Sequence, residues 1–368
     1  MTIERLKQLY IAIEQAGLDA VALNPGPTLV YLTGVSFHLM ERPIVLMVAR
    51  GQEPVLVLPE FEVTKAAAIA YKVTRFTYAE NPGEWDEIFK KAVLSLGLDG
   101  TKIGVEPRQM RLLEFWHVRN GAPAADFPDA TEALASLRLR KDEGEIAAMR
   151  RAVGIAEKAL EAVLPSVKVG LTEREIASAL TMELLRQGSD SEMPFAPIVC
   201  AGPNSANPHA TPSDRKIQHG DLLLIDWGAS SGGYISDLTR TFAVGEVDDE
   251  WKKIAGVVLE SNAAGRAAGR PGIPCGSVDK AARAVIEQAG YGQYFTHRTG
   301  HGIGMEGHEE PYIRGDNMRM LYPGMAYTVE PGIYLAGKGG VRIEDNVVVT
   351  KTGVDVLSEM PRELRAVG

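Results

Sequence analysis

This sequence of 368 residues has few cysteines, no long apolar run and no excess of basic residues. Cys200 and Cys275 are too few for a disulfide framework or a thiolate metal site, and they favour a reducing compartment. No stretch approaches the roughly 20 apolar residues of a membrane-spanning helix, and the charged N-terminal segment does not resemble a signal peptide. With 39 Lys and Arg against 48 Asp and Glu, the net charge of −9 argues against nucleic acid or an anionic membrane as the main partner. The sequence therefore predicts a cytoplasmic protein.

The first third of the chain alternates between helical and strand patterns, which is typical of an α/β layer. The predicted strands are 19–23, 29–32, 44–48, 54–58, 73–76 and 102–105, and the predicted helices are 3–16, 60–70, 84–97 and 108–117. The charged segment LRLRKDEGE at 137–145 follows this region and precedes a long amphipathic helix. We therefore predict an α/β domain over residues 1–135 and a second domain over residues 136–368.

The second domain has a different pattern, in which helices are separated by strands and by loops rich in Gly and Pro. One helix ends at Pro165, and the next begins with a capping box of Thr172 and Glu175 and ends at Gly188. Two more helices are predicted over 249–269 and 277–289, and strands over 222–226, 234–242, 326–330, 332–335 and 341–350. This pattern predicts an α+β domain with helices flanking an antiparallel sheet.

Two aspartates lie in a predicted hairpin of the second domain. Asp226 ends an apolar strand, and Asp237 lies in the strand that follows a Ser-Ser-Gly-Gly segment. A turn centred between Ser231 and Gly232 would place the two carboxylates directly opposite each other on one face. Because like charges in that position are destabilising, the pair suggests a bound cation.

The C-terminal region contains a second pair of acids in the same arrangement. A turn centred on Gly337 would make Glu330 and Glu344 cross-strand partners. Each of the four acids could instead be a surface residue or a partner of Arg240 or Arg342. Two hairpins with the same arrangement favour a cluster that binds hard cations.

Four of the seven histidines lie in loops that could contribute to this cluster. His297, His301 and His308 fall within HRTGHGIGMEGHEEP, where His301 could bind a metal ion, and His209 lies in a turn-rich loop. The same stretch matches the G-x-G-x-x-G pattern of dinucleotide-binding proteins over 302–307. The prolines and glycine that follow exclude the long helix which that fold requires.

These segments resemble the pita-bread metallopeptidases of the Xaa-Pro dipeptidase (prolidase) and aminopeptidase P type. The matching segments are NPHA at 207–210, IDWGASSGGYISDLTRT at 225–241, HRTGHGIGMEGHEEP at 297–311, EPGIY at 330–334 and VRIED at 341–345. The resemblance covers the second domain, and the first domain resembles the smaller creatinase-type α/β domain that precedes it in this family. It implies a pita-bread catalytic domain with an antiparallel sheet flanked by helices.

The resemblance also implies a site with two divalent metal ions, with Mn²⁺ expected and Co²⁺ or Zn²⁺ as alternatives. Asp237 and Glu344 would bind both ions, Asp226 one of them, and His301 with Glu330 the other. A hydroxide bridging the two ions would attack a peptide bond that precedes proline.

Further roles follow from the same resemblance. Glu330 would also transfer a proton, His308 would stabilise the oxyanion, and Thr239 would orient a carboxylate. Substrate contacts would come from His209, His297, Arg342, Phe195 and Tyr234, with His209 also assigned to the catalytic group. Gly307 departs from the family, which usually has a branched aliphatic residue there.

A charged loop of the first domain is a candidate for substrate selection. His38, Glu41 and Arg42 follow a predicted strand, and Arg42 could bind a substrate carboxylate while Glu41 binds an ammonium group. This loop and the short chain favour a dipeptidase. We expect its substrates to be proline-containing di- or short peptides, and we expect a homodimer. The alternatives are an aminopeptidase P, an ectoine-hydrolase-like amidohydrolase and a binding module without activity. A methionine aminopeptidase would not need the first 130 or so residues, and a creatinase-like amidinohydrolase would lack the full ligand set.

Overall fold

The computed structural model describes residues 2–368 and divides the chain into two compact units. The first ends at Arg138 and the second is Leu139–Gly368, whereas the sequence placed the junction at 135/136. No helix within residues 2–368 combines the length and the apolar character needed to cross a bilayer.

The first unit contains six helices and five strands among its described residues. The helices are α1 (Thr2–Gln15), α2 (Pro27–Thr33), α3 (Val63–Ala66), α4 (Trp85–Ser95), α5 (Leu112–Gly121) and α6 (Thr131–Arg138). The strands are β1 (Ala20–Leu23), β2 (Val45–Ala49), β3 (Val55–Pro59), β4 (Thr74–Tyr78) and β5 (Ile103–Gly104). They form one mixed sheet in the order β4-β3-β2-β1-β5, in which β3/β4 and β1/β5 are parallel. Strands β1, β2 and β3 are buried along their whole length, as expected for a sheet covered on both faces.

One strand prediction in the first unit is wrong. Residues 29–32 were expected to be extended, but they belong to helix α2. Pro27 occupies the first turn of this helix, where its missing N–H costs nothing. Gly34 ends the helix with φ 74°, and its N–H donates to the Val30 carbonyl. The predicted helix 60–70 is also shorter, consisting of a 3₁₀ turn at Glu60–Glu62 followed by α3.

The second unit has four long helices and thirteen strands. The helices are α7 (Glu143–Val163), α8 (Glu173–Arg186), α9 (Asp249–Ala268) and α10 (Cys275–Gln288). The strands are β6 (Ile198–Ala201), β7 (Leu222–Trp227), β8 (Ser230–Ser231), β9 (Tyr234–Ile235), β10 (Leu238–Val244), β11 (Gly300–Gly302), β12 (Glu309–Ile313), β13 (Ala326–Val329), β14 (Gly332–Leu335), β15 (Gly339–Arg342), β16 (Asp345–Val349), β17 (Val354–Val356) and β18 (Arg365–Val367). The capping box predicted for α8 is present, with reciprocal bonds between Thr172 and Glu175.

Two main sheets support the site in the second unit. One has the order β18-β10-β7-β6 and the other the order β12-β11-β13-β16-β17. Helices α7 and α8 pack on the first sheet, where apolar residues such as Met149, Leu180 and Ile225 form a fully buried core. The β14/β15 hairpin extends from the second sheet. This hairpin and the β7/β10 pair present the acids identified in the sequence.

The β7/β10 hairpin has a different register from the one predicted. Its turn is centred between Gly232 and Gly233, whose φ values of 60° and 78° are those of a type I′ turn. Asp226 therefore pairs with Thr239 and not with Asp237. The register differs by two residues, so Asp237 stays on the same face as a diagonal neighbour of Asp226. In the other hairpin, the β13/β16 and β14/β15 ladders share the predicted register.

Candidate metal and peptide-binding site

A cavity of about 620 Å³ in the second unit brings together most of the predicted site residues. Its lining comprises acids, histidines, two arginines and a group of apolar residues. These residues are Pro194, Phe195, Ala196, Ile198, Pro208, His209, Asp226, Asp237, His297, Arg298, His301, Gly307, His308, Glu330, Arg342 and Glu344.

Arg342 holds one oxygen of Asp226 and leaves the other free. The Arg342 Nη2 donates to Asp226 Oδ2 at 2.6 Å, and both side chains are largely buried. The Asp226 Oδ1 is buried and has no hydrogen-bond partner within residues 2–368. A buried carboxylate oxygen without a donor is costly unless a cation binds it.

Thr239 likewise binds one oxygen of Glu344 and leaves the other free. The Thr239 hydroxyl donates to Glu344 Oε2 at 2.7 Å and accepts a bond from Arg342 Nε at 3.0 Å. The hydroxyl has one proton and the guanidinium can only donate, so the direction of both bonds is determined. The Glu344 Oε1 is left buried without a partner in the described chain.

Asn346 fixes the backbone of Asp237 at the point where β9 and β10 meet. Its Oδ1 accepts the Asp237 N–H at 3.0 Å, and its Nδ2 donates to the Asp237 carbonyl at 2.6 Å. Asn346 was not identified from the sequence, because its importance depends on a contact between residues 109 positions apart.

His301 presents one nitrogen to two acids. Its Nδ1 is 3.1 Å from the Gly302 carbonyl, which can only accept, so Nδ1 carries a proton. The Nε2 lies 3.3 Å from Glu330 Oε1 and 3.7 Å from Asp237 Oδ2. A metal ion at this position would therefore bind Nε2, after that nitrogen has lost any proton it shares with Glu330.

The electrostatics of these acids suit a divalent cation. Burial and the charges of neighbouring carboxylates raise the pKa of Asp237 and Glu344 well above the usual range, and burial also raises the pKa of Asp226. Burial acts in the same direction on Glu330, but the hydrogen bond and charge of His301 outweigh it and lower that pKa to about 2.

The donor set fits a divalent metal ion on geometric grounds as well. Asp237, His301 and Glu344 each offer a ligand atom within 4.8 Å of the other two. Asp226 adds a further carboxylate, and its Oδ1 and the Oε1 of Glu344 both lack a hydrogen-bond partner within residues 2–368. Carboxylate oxygens with one imidazole nitrogen suit manganese, cobalt or zinc.

A chain of hydrogen bonds connects Arg342 to His297 through Tyr334. The Arg342 Nη1 donates to the Tyr334 hydroxyl at 2.9 Å. The neutral His297 ring carries its proton on Nδ1, which faces a carbonyl, so its Nε2 accepts from the Tyr334 hydroxyl at 2.9 Å. The His297 Nδ1 donates to the Arg298 carbonyl at 2.8 Å, and burial lowers the pKa of this histidine. Tyr334 was not identified from the sequence, although it lies four residues after Glu330 and thus on the same face of the hairpin.

His308 and His209 lie on the more exposed side of the cavity. The ring centroid of His308 is 4.0 Å from that of His301, and its Nδ1 accepts from Arg298 Nη2 at 3.4 Å. Burial and the charges of His301 and Arg298 lower the pKa of His308 to about 4, so the ring is neutral at pH 7. Arg298 was not identified from the sequence.

Phe195 and Tyr234 occupy different environments, although the sequence assigned both to substrate. Phe195 forms an apolar wall of the cavity together with Pro194, Ile198 and Pro208. Tyr234 does not line the cavity and packs in the core, where its hydroxyl donates to Glu145 at 2.5 Å. Its strand β9 is short and faces helix α7, which turns the ring away from the acids.

The charged loop of the first unit has internal partners. Arg42 Nε and Nη2 bind Glu80 at 3.0 and 2.7 Å, and Nη1 contacts Glu41. His38 is exposed. Because the nitrogens of its guanidinium are occupied, Arg42 would have to leave Glu80 to bind a substrate. The role of this loop in substrate selection stays a prediction.

Comparison with known proteins identifies the family. Residues 147–351 match metallopeptidase family M24, and residues 5–140 match the creatinase/prolidase N-terminal domain. The chain belongs to metallopeptidase family M24. This M24 peptidase therefore has the predicted creatinase-type N-terminal domain followed by a pita-bread catalytic domain, and membership implies a divalent metal cofactor.

Solved structures resemble this M24 peptidase over its whole length. A prolidase from Thermococcus sibiricus is 33% identical with a TM-score of 0.94, covering 100% of this chain and 99% of the other. A dipeptidase from Pyrococcus horikoshii OT3 is 36% identical with a TM-score of 0.93, covering 99% and 100%. An X-Pro aminopeptidase from Thermotoga maritima MSB8 is less similar, at 30% identity and a TM-score of 0.85 over 98% and 99%.

Proposed function

We propose that this M24 peptidase is an Xaa-Pro dipeptidase that cleaves the bond before proline with two divalent metal ions. The observation that carries the proposal is the cavity in which five predicted metal ligands lie beside three histidines and an apolar wall. The wall of Phe195, Pro194 and Ile198 suits a pyrrolidine ring. The similarity to a prolidase and to a dipeptidase over nearly the whole chain supports the same substrate class.

Five residues would hold the ions, with Mn²⁺ proposed and Co²⁺ or Zn²⁺ as alternatives. Asp237 and Glu344 would be shared, Asp226 would serve one ion, and His301 with Glu330 the other. Bound ions of this kind act as Lewis acids and make an attacking water more acidic. Arg342 and Thr239 would keep one oxygen of Asp226 and one of Glu344 occupied, so that the other oxygen of each faces the ions.

Glu330 and His308 would carry the proton transfers and stabilise charge. Glu330 would accept a proton from the attacking water and then deliver it to the proline nitrogen. The hydrogen bond and charge of His301 lower its pKa to about 2 in the metal-free protein, and both would be lost once a metal ion binds the His301 nitrogen. Because Arg298 can only donate to Nδ1 of His308, the proton of the neutral ring is on Nε2. From there it can donate to the oxyanion that forms on the scissile carbonyl.

Two more side chains, His209 and His297, would position the peptide. His209 and His297 line the cavity, and Tyr334 holds His297 in one tautomer. Arg342 would act mainly by holding Asp226 and Tyr334, since three of its donors are occupied by protein groups. Action as a homodimer in the cytoplasm remains a prediction, which sedimentation analysis and cell fractionation would test.

A second candidate function is an aminopeptidase P activity. The similarity to an X-Pro aminopeptidase favours it specifically, because that protein also matches nearly the whole chain. The two activities differ in whether the substrate ends at proline or continues beyond it.

The test combines metal removal with two substrates. After chelation, Mn²⁺, Co²⁺ or Zn²⁺ is added back and cleavage of Ala-Pro is compared with that of Ala-Pro-Ala, while mass spectrometry counts the metal per chain. We expect chelation to abolish activity, two ions per chain to restore it, and Ala-Pro to be the better substrate. Preference for Ala-Pro-Ala would favour the aminopeptidase, and cleavage of neither would refute both.

Glu344→Ala provides the matched variant, with Glu246→Ala as control. Glu344 is buried among the proposed ligands, whereas Glu246 is exposed in the same unit. The first change is expected to abolish cleavage and lower metal content, and the second to change neither. Full activity of Glu344→Ala would contradict the proposed site.

A further inference from the structure

Arg298 is a cationic side chain of the cavity with no carboxylate partner. It lines the cavity and is half-buried, yet no ion pair connects it to an acid of the described chain. Within residues 2–368, its one side-chain hydrogen bond is the donation to His308 at 3.4 Å. The guanidinium therefore has donors left for a ligand, since it carries five N–H groups.

The other candidate arginines are already engaged. Arg342, the second guanidinium of the cavity, binds Asp226, Tyr334 and Thr239 and has a side chain only 1% exposed. Arg42, the carboxylate ligand suggested by the sequence, binds Glu80 through two of its nitrogens. Arg298 is thus the cavity-lining arginine that can bind an anion without first losing an ion pair.

Tyr312 holds the plane of this guanidinium. The Arg298 Cζ lies 4.3 Å from the centroid of the Tyr312 ring, a distance typical of a cation–π stack. Stacking occupies a face of the guanidinium and leaves its N–H edge available for a bidentate bond to a carboxylate. Tyr312 also lies in strand β12, which limits its movement.

We propose that Arg298 binds the C-terminal carboxylate of a dipeptide substrate and so selects dipeptides over longer peptides. The inference deepens the proposed function and rests on it. In an Xaa-Pro dipeptide the carboxylate belongs to the residue after the scissile bond, close to the carbonyl assigned to His308. Arg298 contacts His308, so both groups can reach one short substrate. A further residue would move the carboxylate on by about 3.3–3.6 Å and replace it with a neutral amide.

The test varies the charge of the substrate and the charge of residue 298 independently in the metal-loaded enzyme. Values of kcat/KM for Ala-Pro and Ala-Pro-amide are measured in the wild type and in Arg298→Met. We expect Arg298→Met to lower kcat/KM for Ala-Pro about 10- to 100-fold, mainly through KM, and to change the amide less than about threefold. Arg298→Lys, which keeps the charge but not the fork, should retain part of the preference for Ala-Pro.

Arg314→Met is the matched control, because Arg314 is an exposed arginine just after β12 that pairs with Asp316. It should leave both substrates unchanged. An equal loss on Ala-Pro and its amide in Arg298→Met would overturn the inference, because an effect on folding or on His308 acts on both substrates. No loss on either would overturn it too. If the wild type cleaves neither substrate, the proposed function is refuted, and the inference that rests on it is refuted as well.

Discussion

Arg342 supports the carboxylates of the cavity, and its replacement should destabilise the metal-free catalytic unit. Arg342→Met leaves Asp226 buried without its cation and removes donors from Tyr334 and Thr239. Breaking a buried pair by removing one partner costs about 3–5 kcal/mol, because the remaining charge is uncompensated. The side chains of Arg342 and Asp226 are 1% and 12% exposed, so little water can replace the lost bonds.

This cost should be visible as a lower melting temperature. The catalytic unit, Leu139–Gly368, is in the size range for which 1 kcal/mol corresponds to about 2–4 °C. We therefore expect differential scanning calorimetry in chelator to show a fall of about 6–20 °C in the transition of this unit. With divalent metal added the fall should be smaller, since the bound cations then offset the charge of Asp226.

Two further variants separate the charge effect from lost packing. Arg314→Met removes an exposed arginine, with side chains 59% and 73% exposed in its ion pair with Asp316, and should lower the melting temperature by no more than about 4 °C. In Arg342→Met with Asp226→Asn the buried charge is gone, so this double variant should be more stable than Arg342→Met alone. A fall in Arg342→Met no larger than that of the control would refute the reasoning.

Three other predictions test particular side chains. Tyr234→Phe should lower the free energy of unfolding by about 1.5–3 kcal/mol, because the hydrogen bond to Glu145 is lost, and kcat/KM should stay within twofold. A large loss of activity at unchanged stability would instead identify Tyr234 as a substrate contact. Gly307→Ala should raise stability by about 0.4–1 kcal/mol, because a Cβ there meets only Ile235 at 3.8 Å and the backbone φ lies outside the left-handed region. A lower melting temperature would contradict this. The raised pKa of Glu344 means that the folded metal-free protein binds a proton more tightly than the unfolded chain, so this contribution to stability is lost as the pH rises above the usual carboxylate range. In chelator, the melting temperature should therefore fall more with rising pH in the wild type than in Glu344→Gln. Equal slopes of melting temperature against pH would contradict the contribution of Glu344.

The register of the two hairpins illustrates what the sequence can predict about the site. The registers on both sides of Glu330 and Glu344 are those predicted, because the loop around Gly337 is symmetric about its centre. The Asp226 hairpin is offset by two residues, since the turn uses the two positive-φ glycines together. An even offset keeps both aspartates on one face, so the grouping of acids did not depend on the error.

Residues whose importance comes from distant contacts were beyond sequence reasoning. Tyr334 and Asn346 carry no charge and gain their positions from Arg342 and from Asp237. The role of Arg298 could not be inferred from its place beside His297, because only the folded cavity shows that its guanidinium pairs with no carboxylate of residues 2–368. Helix α2 could have been recognised, since Pro27 and Gly34 are typical residues for its two ends.

The division of the acids between two hairpins has a consequence for folding kinetics. Asp226 and Asp237 come from one hairpin, and Glu330 and Glu344 from the other, so each pair forms through contacts that are local in the chain. A cation that binds both pairs can do so only after the hairpins have docked, since only then do the free oxygens of Asp226 and Glu344 converge. Interactions that are absent from the transition state act on the unfolding rate. Metal should therefore slow unfolding strongly and leave the refolding rate of the catalytic unit nearly unchanged.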